Sequence, residues 1–247
     1  MNTMSLVTVS ILILIPIIIS YKEHLGIEKD IVISILRAVI QLVLVGYILD
    51  VIFNLKKPVF IMILVLIMII NAALNTKKRG EKINNAVMIS FTSILIGSFI
   101  TIVVLVLLGL IKFTPNEIIP IAGMIISNSM IAVGLSYRNL NNSFESKRSE
   151  VEVKLSLGAN IKEASETILA ESIKIAIMPT IDSAKTLGIV SLPGMMTGLI
   201  LGGASPLMAI KFQIMVTFMI LSSASISTMI SAYLSYKSFF NKRQQLK

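Results

Sequence analysis

Apolar residues fall along this chain in unbroken runs of about 17 to 26 residues, and charged residues collect in the short stretches between them. The hydrocarbon core of a bilayer takes roughly 20 helical residues to cross. Inside it every backbone polar group must find a partner within the protein, which leaves helices or closed barrels. Barrel strands alternate apolar and polar positions, whereas the Ile, Leu and Val runs here are continuous. The pattern therefore predicts an all-α, polytopic transmembrane helical bundle. Seven spans are expected, over residues 4–20, 31–53, 58–74, 86–111, 118–136, 187–204 and 208–233, the sixth interrupted by Pro193. The first lacks a basic start and a small-residue cleavage site, so it reads as an uncleaved span rather than a signal peptide.

One long polar insert breaks the rhythm, over residues 137–186. It opens on Asn139, Asn141, Asn142 and Ser143 as a linker, then reads as two helices, 145–157 and 161–178, parted at Gly158. Glycine adopts positive φ cheaply and stops helices. Asn160 with Glu163 three residues on has the spacing of a capping box, and Pro179 is expected to end or kink the second helix. The chain thus divides into spans one to five (1–136), the insert (137–186), spans six and seven (187–236) and a basic tail (237–247).

Charge sets the expected orientation. Of the 22 Lys and Arg residues, eighteen fall on one side if the N-terminus is outside. These include Lys77, Lys78, Arg79 and Lys82, the insert's basic residues, and Lys237, Lys242, Arg243 and Lys247. Only Lys56, Lys57, Lys112 and Lys211 fall on the other side. Basic residues accumulate on the cytoplasmic side, so the N-terminus is expected outside, the C-terminus inside, and the insert in the cytoplasm.

Composition narrows the chemistry. Charged residues are 14% and apolar ones 55%, against about a quarter charged in a soluble domain. The net charge of +9 is read through topology, not as a nucleic-acid surface. With no cysteine and His24 as the single histidine, disulfides, zinc-thiolate sites, iron–sulfur clusters and multi-histidine metal sites are excluded. None of the 13 glycines is followed by lysine, so the chain has no P-loop and no means of binding ATP that way. No arrangement of acids or histidines suits an enzyme acting on lipid or a polyprenyl carrier.

Polar residues within the apolar runs are candidates for a translocation path. Arg37 and Gln41 lie one turn apart near the start of the second span and share a face; Arg37 either faces a cavity or snorkels to the headgroups. Asn128 and Ser129 sit mid-span, while Asn71 reads as bonding one helix to another. Asp182 and Lys185 are spaced to pair at the entry to the sixth span. Beyond them, Pro193 interrupts the helix, and broken helices at mid-depth build ion sites. Met195 and Met196 offer soft sulfur, although packing accounts equally for methionine in a chain with 14 of them. Gly194, Gly198 and Gly202 strip one helix face of side chains, and Ser223, Ser227 and Ser231 form a second small stripe. Both read as packing or dimer surfaces. The amphipathic helix over Glu150–Ala159 suits a groove on a cytoplasmic partner or, alternatively, the lipid surface. Its acids argue against an anionic leaflet.

Taken in order, these residues resemble a known family, the FetB-type permeases of bacterial iron-export ABC transporters, to which the plant aluminium-sensitivity membrane proteins are related. The resemblance runs from Arg37-Ala-Val-Ile-Gln41 and Gly46 through Gly123-Met124, Asn128-Ser-Met130, Gly134-Leu135, Arg138 and Leu155-Ser-Leu-Gly-Ala159. It is most specific at Pro179-Thr-Ile-Asp182, Lys185-Thr-Leu-Gly188 and Val190-Ser-Leu-Pro-Gly-Met-Met-Thr-Gly198, and continues through Pro206, Ala209 and Gln213. It implies a multi-pass permease subunit in the bacterial plasma membrane. Two permeases would act with two copies of a separate ABC-type ATPase, which carries ATP and Mg²⁺; this chain would bind no cofactor. It also implies that Glu152, Leu155, Leu157, Gly158 and Ala159 couple to that ATPase. The spacing from Gly158 to Pro179 departs from the coupling loop of importers. The implied cargo is iron or another metal, with a nucleotide sugar as the alternative. A carrier or channel working without ATP is the rival class.

Overall fold

A computed structural model describes residues 9–55, 58–241 and 243–247. Met4 to Thr8 of the expected first span, and Lys56, Lys57 and Lys242 of the charge pattern, lie outside the described residues. Those described form nine α-helices: α1 (Leu14–Lys22), α2 (Glu28–Leu55), α3 (Pro58–Thr76), α4 (Ala86–Leu107), α5 (Pro115–Ser146), α6 (Arg148–Ser156), α7 (Ile161–Thr186), α8 (Gly194–Leu201) and α9 (Pro206–Ser235). Short 3₁₀ turns precede α1 and follow α3 and α9. Among the described residues there is no strand, only isolated bridges. Among the described residues five segments are long and apolar enough to cross a membrane: Glu28–Asp50, Pro58–Arg79, Ala86–Leu107, Pro115–Ser146 and Pro206–Phe239.

The chain splits into two compact units, Met1–Lys56 and Lys57–Lys247. In the first, Ser20 ties α1 to α2. Its hydroxyl donates to Glu28 Oε1 at 2.6 Å and accepts from the Ile27 amide at 3.4 Å.

In the second unit α9 packs against α4 and α5, and α5 packs against α3 and α7. Small residues set how closely these helices approach. A Cβ at Gly97 of α4 would overlap Ser227 Oγ and come within 3.0 Å of the Ser223 carbonyl on α9. Ser223, Ser227 and Ser231 are all fully buried there, so the serine stripe is an internal packing seam. The glycine stripe is different: a Cβ at Gly194 or Gly198 meets nothing within 4 Å, and one at Gly202 meets only its own helix's carbonyls. Within this chain the close approach is thus made at Gly97 rather than at Gly194, Gly198 or Gly202.

At the end of the unit where Lys77, Lys78 and Arg79 gather, buried hydroxyls pin three helices together. Thr76 Oγ1 donates to Ser90 Oγ at 2.7 Å, Ser90 donates to the Tyr137 hydroxyl at 2.9 Å, and Tyr137 donates to the Ala86 carbonyl at 3.2 Å. Phe144 stacks on Phe239 at 4.2 Å and meets Phe240 edge-on at 5.8 Å. The expected basic tail folds back here: the Lys247 amide donates to the Phe239 carbonyl at 2.9 Å, and Arg148 donates to the Lys247 carbonyl at 3.0 Å.

Three expectations are corrected. The expected linker at Asn139–Ser143 is helix, because α5 runs on to Ser146. Tyr137, Leu140 and Phe144 recur at helical spacing and are buried, so an apolar face persists beneath the polar run. Asn139 and Asn141 bond to Ser172 Oγ and the Arg79 carbonyl, each at 3.0 Å. Second, α7 does not end at Pro179 but continues to Thr186. A proline inside a helix removes one backbone bond, which is tolerated where neighbouring helices compensate. Third, residues 187–204 do not form one helix. A turn over 187–191 precedes α8, whose eight residues rise about 12 Å, well short of a bilayer core.

Candidate functional site

A cavity of about 380 Å³ with several neutral polar side chains in its lining is bounded by α5, α7, the α7–α8 turn and α9. Asn128 lines it from α5, Thr180 and Ser183 from α7, Ser191 and Pro193 from the turn, and Gln213 and Thr217 from α9. Asn128 stands midway along the apolar stretch of α5, so this polar group lies deep among apolar helices. Its amide nitrogen donates back to the Met124 carbonyl at 2.8 Å, which leaves its carbonyl oxygen for other partners. Gln213 Oε1 is buried and has no hydrogen-bond partner among the described residues. Unpartnered buried acceptors are costly, and where they line a cavity they mark a place for a ligand or ordered water. The lining polar side chains are amides and hydroxyls; no carboxylate is among them. No group of three or more His, Cys, Asp or Glu that suits a metal ion occurs among the described residues.

Of the expected path residues, Asn128 lines this cavity. Ser129 turns away from it, fully buried, its hydroxyl 2.9 Å from Ser223 Oγ across the α5–α9 contact. Asp182 and Lys185 pair at 2.9 Å on an exposed face of α7. Met195 and Met196 are half-buried in α8 and outside the lining. Arg37 and Gln41 are exposed on α2 in the other unit. Asn71 bonds back to its own helix, donating to the Ile67 carbonyl at 3.2 Å. Gln213, Thr180 and Ser183 did not stand out as path residues in the sequence. The available signal was Gln213, a lone amide in the apolar run of α9.

The second element of interest is α6 with the turn that follows it. Gly158 adopts φ +92° and a Cβ there meets nothing within 4 Å. The turn closes through the Ala159 amide, which donates to the Lys154 carbonyl at 3.0 Å. Asn160 then caps α7: its side chain accepts from the Lys162 and Glu163 amides at 3.0 Å each, while Glu163 accepts from the Asn160 amide at 2.8 Å. Val151 of α6 is buried and Leu155 half-buried against the core. Leu157, by contrast, is 83% exposed and Val153 57%; Val153 is a docking candidate that sequence reasoning passed over. One ion pair ties the start of α6 to α7, and two more lie within α6 itself. Arg148 reaches Glu152 at 2.8 Å, Lys154 reaches Glu150 at 2.7 Å, and Lys147 reaches Glu171 of α7 at 2.5 Å. The hydrogen bond from Lys147 to Glu171 raises the lysine's pKa, and the one from Lys154 to Glu150 lowers the glutamate's.

A single helix joins the two elements. α7 is 26 residues long, about 39 Å at 1.5 Å per residue. Its first half packs Ala164, Ile168 and Leu169 into the core beside Phe144 and Tyr236, and its last third lines the cavity.

Comparison with known proteins places the chain. The family model described as uncharacterised protein family UPF0014 matches residues 3–240. The "Probable iron export permease protein FetB" of Escherichia coli (strain K12) is 50% identical over 98% of this chain and 93% of its own length. "UPF0014 membrane protein YjkA" of Bacillus subtilis (strain 168) is 39% identical over 100% and 99%. "Protein ALUMINUM SENSITIVE 3" of Arabidopsis thaliana is 37% identical over 96% and 86%. No solved structure matches. With five membrane-length apolar segments and membrane-protein relatives, the chain is a multi-pass membrane protein.

Proposed function

The chain belongs to the UPF0014 family, and on that premise we propose that it is the permease subunit of an ABC-type transporter. It acts in a bacterial plasma membrane, with a separate ATPase supplying energy from ATP and Mg²⁺, and is a transporter component rather than an enzyme. Half of its residues are shared with a relative named a probable iron export permease, which supports export of iron or another metal as the activity.

The observation that carries the reading is the continuity of α7 from the turn beside the exposed Leu157 to the cavity. Short helices present apolar side chains to a groove in a partner, and Val153 and Leu157 form such a tip. The ion pair between Lys147 and Glu171 and the tight turn at Gly158 transmit a push on α6 to α7. α7 in turn moves Thr180 and Ser183 relative to Asn128 and Gln213. ATP binding biases this two-state element only through contacts that differ between the states.

The cavity's neutral oxygens bear on the cargo. Hard cations take carboxylates readily, and none lines the cavity, so a metal passes hydrated or in a complex. The same lining favours a second reading, a hydroxyl-rich cargo such as a nucleotide sugar.

The test is co-purification with the ABC-type ATPases of the same cell, followed by ATP hydrolysis measured across a panel of metals and nucleotide sugars. A stable complex with cargo-stimulated hydrolysis is expected. Failure to bind any ABC ATPase would contradict the proposal.

A further inference from the structure

Arg79 points its side chain the wrong way for a cation at the end of a membrane bundle. Such residues ordinarily snorkel outward to water. Its backbone is held at the basic end: the Arg79 carbonyl accepts from Asn141 Nδ2 at 3.0 Å. The next residue, Gly80, is packed so tightly that a Cβ there would come within 2.8 Å of Ala86 and 2.9 Å of the Tyr137 ring. The Arg79 guanidinium nonetheless lies over Gly134 of α5, where a Cβ would stand 2.5 Å from Nη1 and 2.9 Å from Cδ. Gly134 precedes Asn141 by seven residues, about 10 Å along the helix toward its apolar run. Glycine inside a helix costs stability relative to alanine, and here it leaves the slot in which the arginine lies.

A second guanidinium belongs to the same place. Arg138 is four residues after Gly134, one turn along on the same side of α5. Helical side chains lean toward the N-terminus of their helix, which carries Arg138 toward Gly134. Both arginines are exposed. Neither guanidinium has a hydrogen bond or an ion pair among the described residues. The acids at this end are engaged elsewhere: Glu145 with Lys82, Glu150 with Lys154, Glu152 with Arg148 and Glu171 with Lys147. Glu81, the acid nearest Arg79 in sequence, lines a separate groove with Lys77, Ile70 and Leu74. Two like charges over one glycine repel each other, the more so beside lipid, where the dielectric falls. An anion between them removes that repulsion.

We infer that Arg79 and Arg138, converging over Gly134, form a binding site for a phosphate group. Guanidinium forks take phosphate oxygens in pairs, and two of them match the double charge of a phosphate monoester or a diphosphate. The level fits as well. Gly134 lies just inside the end of the apolar run of α5 over 118–136, where hydrocarbon gives way to headgroups. Two sources present such a group there, the headgroup of an anionic lipid and a soluble diphosphate, and the chemistry that recognises them is the same. None of these three residues lines the cavity at Asn128 and Gln213, so the inference rests on neither the ATPase nor the cargo.

The full chain is melted in detergent with sodium pyrophosphate against sodium chloride of equal ionic strength, and in phosphatidylcholine nanodiscs with and without phosphatidic acid. The wild type is expected to gain several degrees of thermal stability in at least one arm. A gain with pyrophosphate assigns the soluble source, and a gain with phosphatidic acid alone assigns the lipid. Arg79→Gln and Arg138→Gln are each expected to lose most of the gain. Gly134→Ala, which keeps both arginines but fills the slot, is expected to reduce it several-fold. Lys77→Gln removes the same charge from the same turn, beside a different groove, and is expected to keep the gain in full. Each variant is compared with its own melting point without anion, so a less stable variant still reports. Arg138→Gln, at an exposed position, covers the case in which Arg79→Gln fails to fold. No gain for the wild type in either arm overturns the inference. So does an arginine variant that responds as the wild type does, or Lys77→Gln losing as much as they do, since that reports general surface charge.

Discussion

Asn128 and Gln213 face one cavity from different helices, the first with its amide donor turned back onto Met124 and the second with a carbonyl oxygen that meets no donor. Replacing Gln213 by Leu removes the unpartnered acceptor without opening a large void. Stability is expected to hold or rise slightly, because removing an unsatisfied buried group recovers its desolvation cost of about 1–3 kcal/mol. Transport is expected to fall at least tenfold. Thermal unfolding in detergent and vesicle flux check the two halves separately; a variant with lost stability and normal flux assigns Gln213 to packing.

Gly158→Val meets no steric obstacle but forces a β-branched residue to φ +92°, at a cost of about 1–2 kcal/mol. The turn between α6 and α7 is expected to relax while the bundle stays folded. ATP hydrolysis by the reconstituted complex should then continue with transport reduced several-fold. Unchanged coupling removes this turn from the transmission path.

Gly97→Leu is expected to cost about 1–3 kcal/mol through overpacking, because the α4–α9 contact leaves no room beside Ser227. Gly198→Leu, whose Cβ meets nothing, should leave the midpoint of thermal unfolding nearly unchanged. Paired melting curves in one detergent make the comparison.

The anchoring of α6 has a defined pH range. Lys147 has its pKa raised above the ordinary 10.5 by Glu171, so its contribution is complete below that value and disappears as pH rises through the raised one. Glu150 is lowered below the ordinary 4.5 by Lys154 of the same helix, so its contribution, complete above 4.5 and lost as pH falls through the lowered value, is to α6 itself and not to its contact with α7. A nitroxide on Val153→Cys should therefore show constant mobility through neutral pH and loosen only as pH rises past the ordinary lysine value of 10.5. Loosening near neutrality contradicts this anchoring.

Much of the bundle was legible because lipid imposes a single requirement, continuous apolar helix. The spans expected over 31–53, 58–74, 86–111 and 208–233 correspond to α2, α3, α4 and α9 within a few residues. The capping box at Asn160 was legible because it is local, needing only the Asn and Glu three residues apart. The course of α5 past Ser136 was not, because polarity on one face hid the buried Tyr137, Leu140 and Phe144 on the other. The continuation of α7 through Pro179 depends on the helices packed beside it, which no local pattern records. The cavity was legible only at Asn128, since Thr180, Ser183 and Gln213 meet it from segments far apart in the chain.

The most direct test of the account is cargo flux in proteoliposomes containing this chain with and without the ABC-type ATPase that co-purifies with it, with ATP enclosed or withheld. Flux is predicted only when both proteins and ATP are present, and is lost when the ATPase cannot hydrolyse. Flux of the same size from this chain alone, unaffected by ATP, would contradict the claim that it is the membrane half of an ATP-driven transporter.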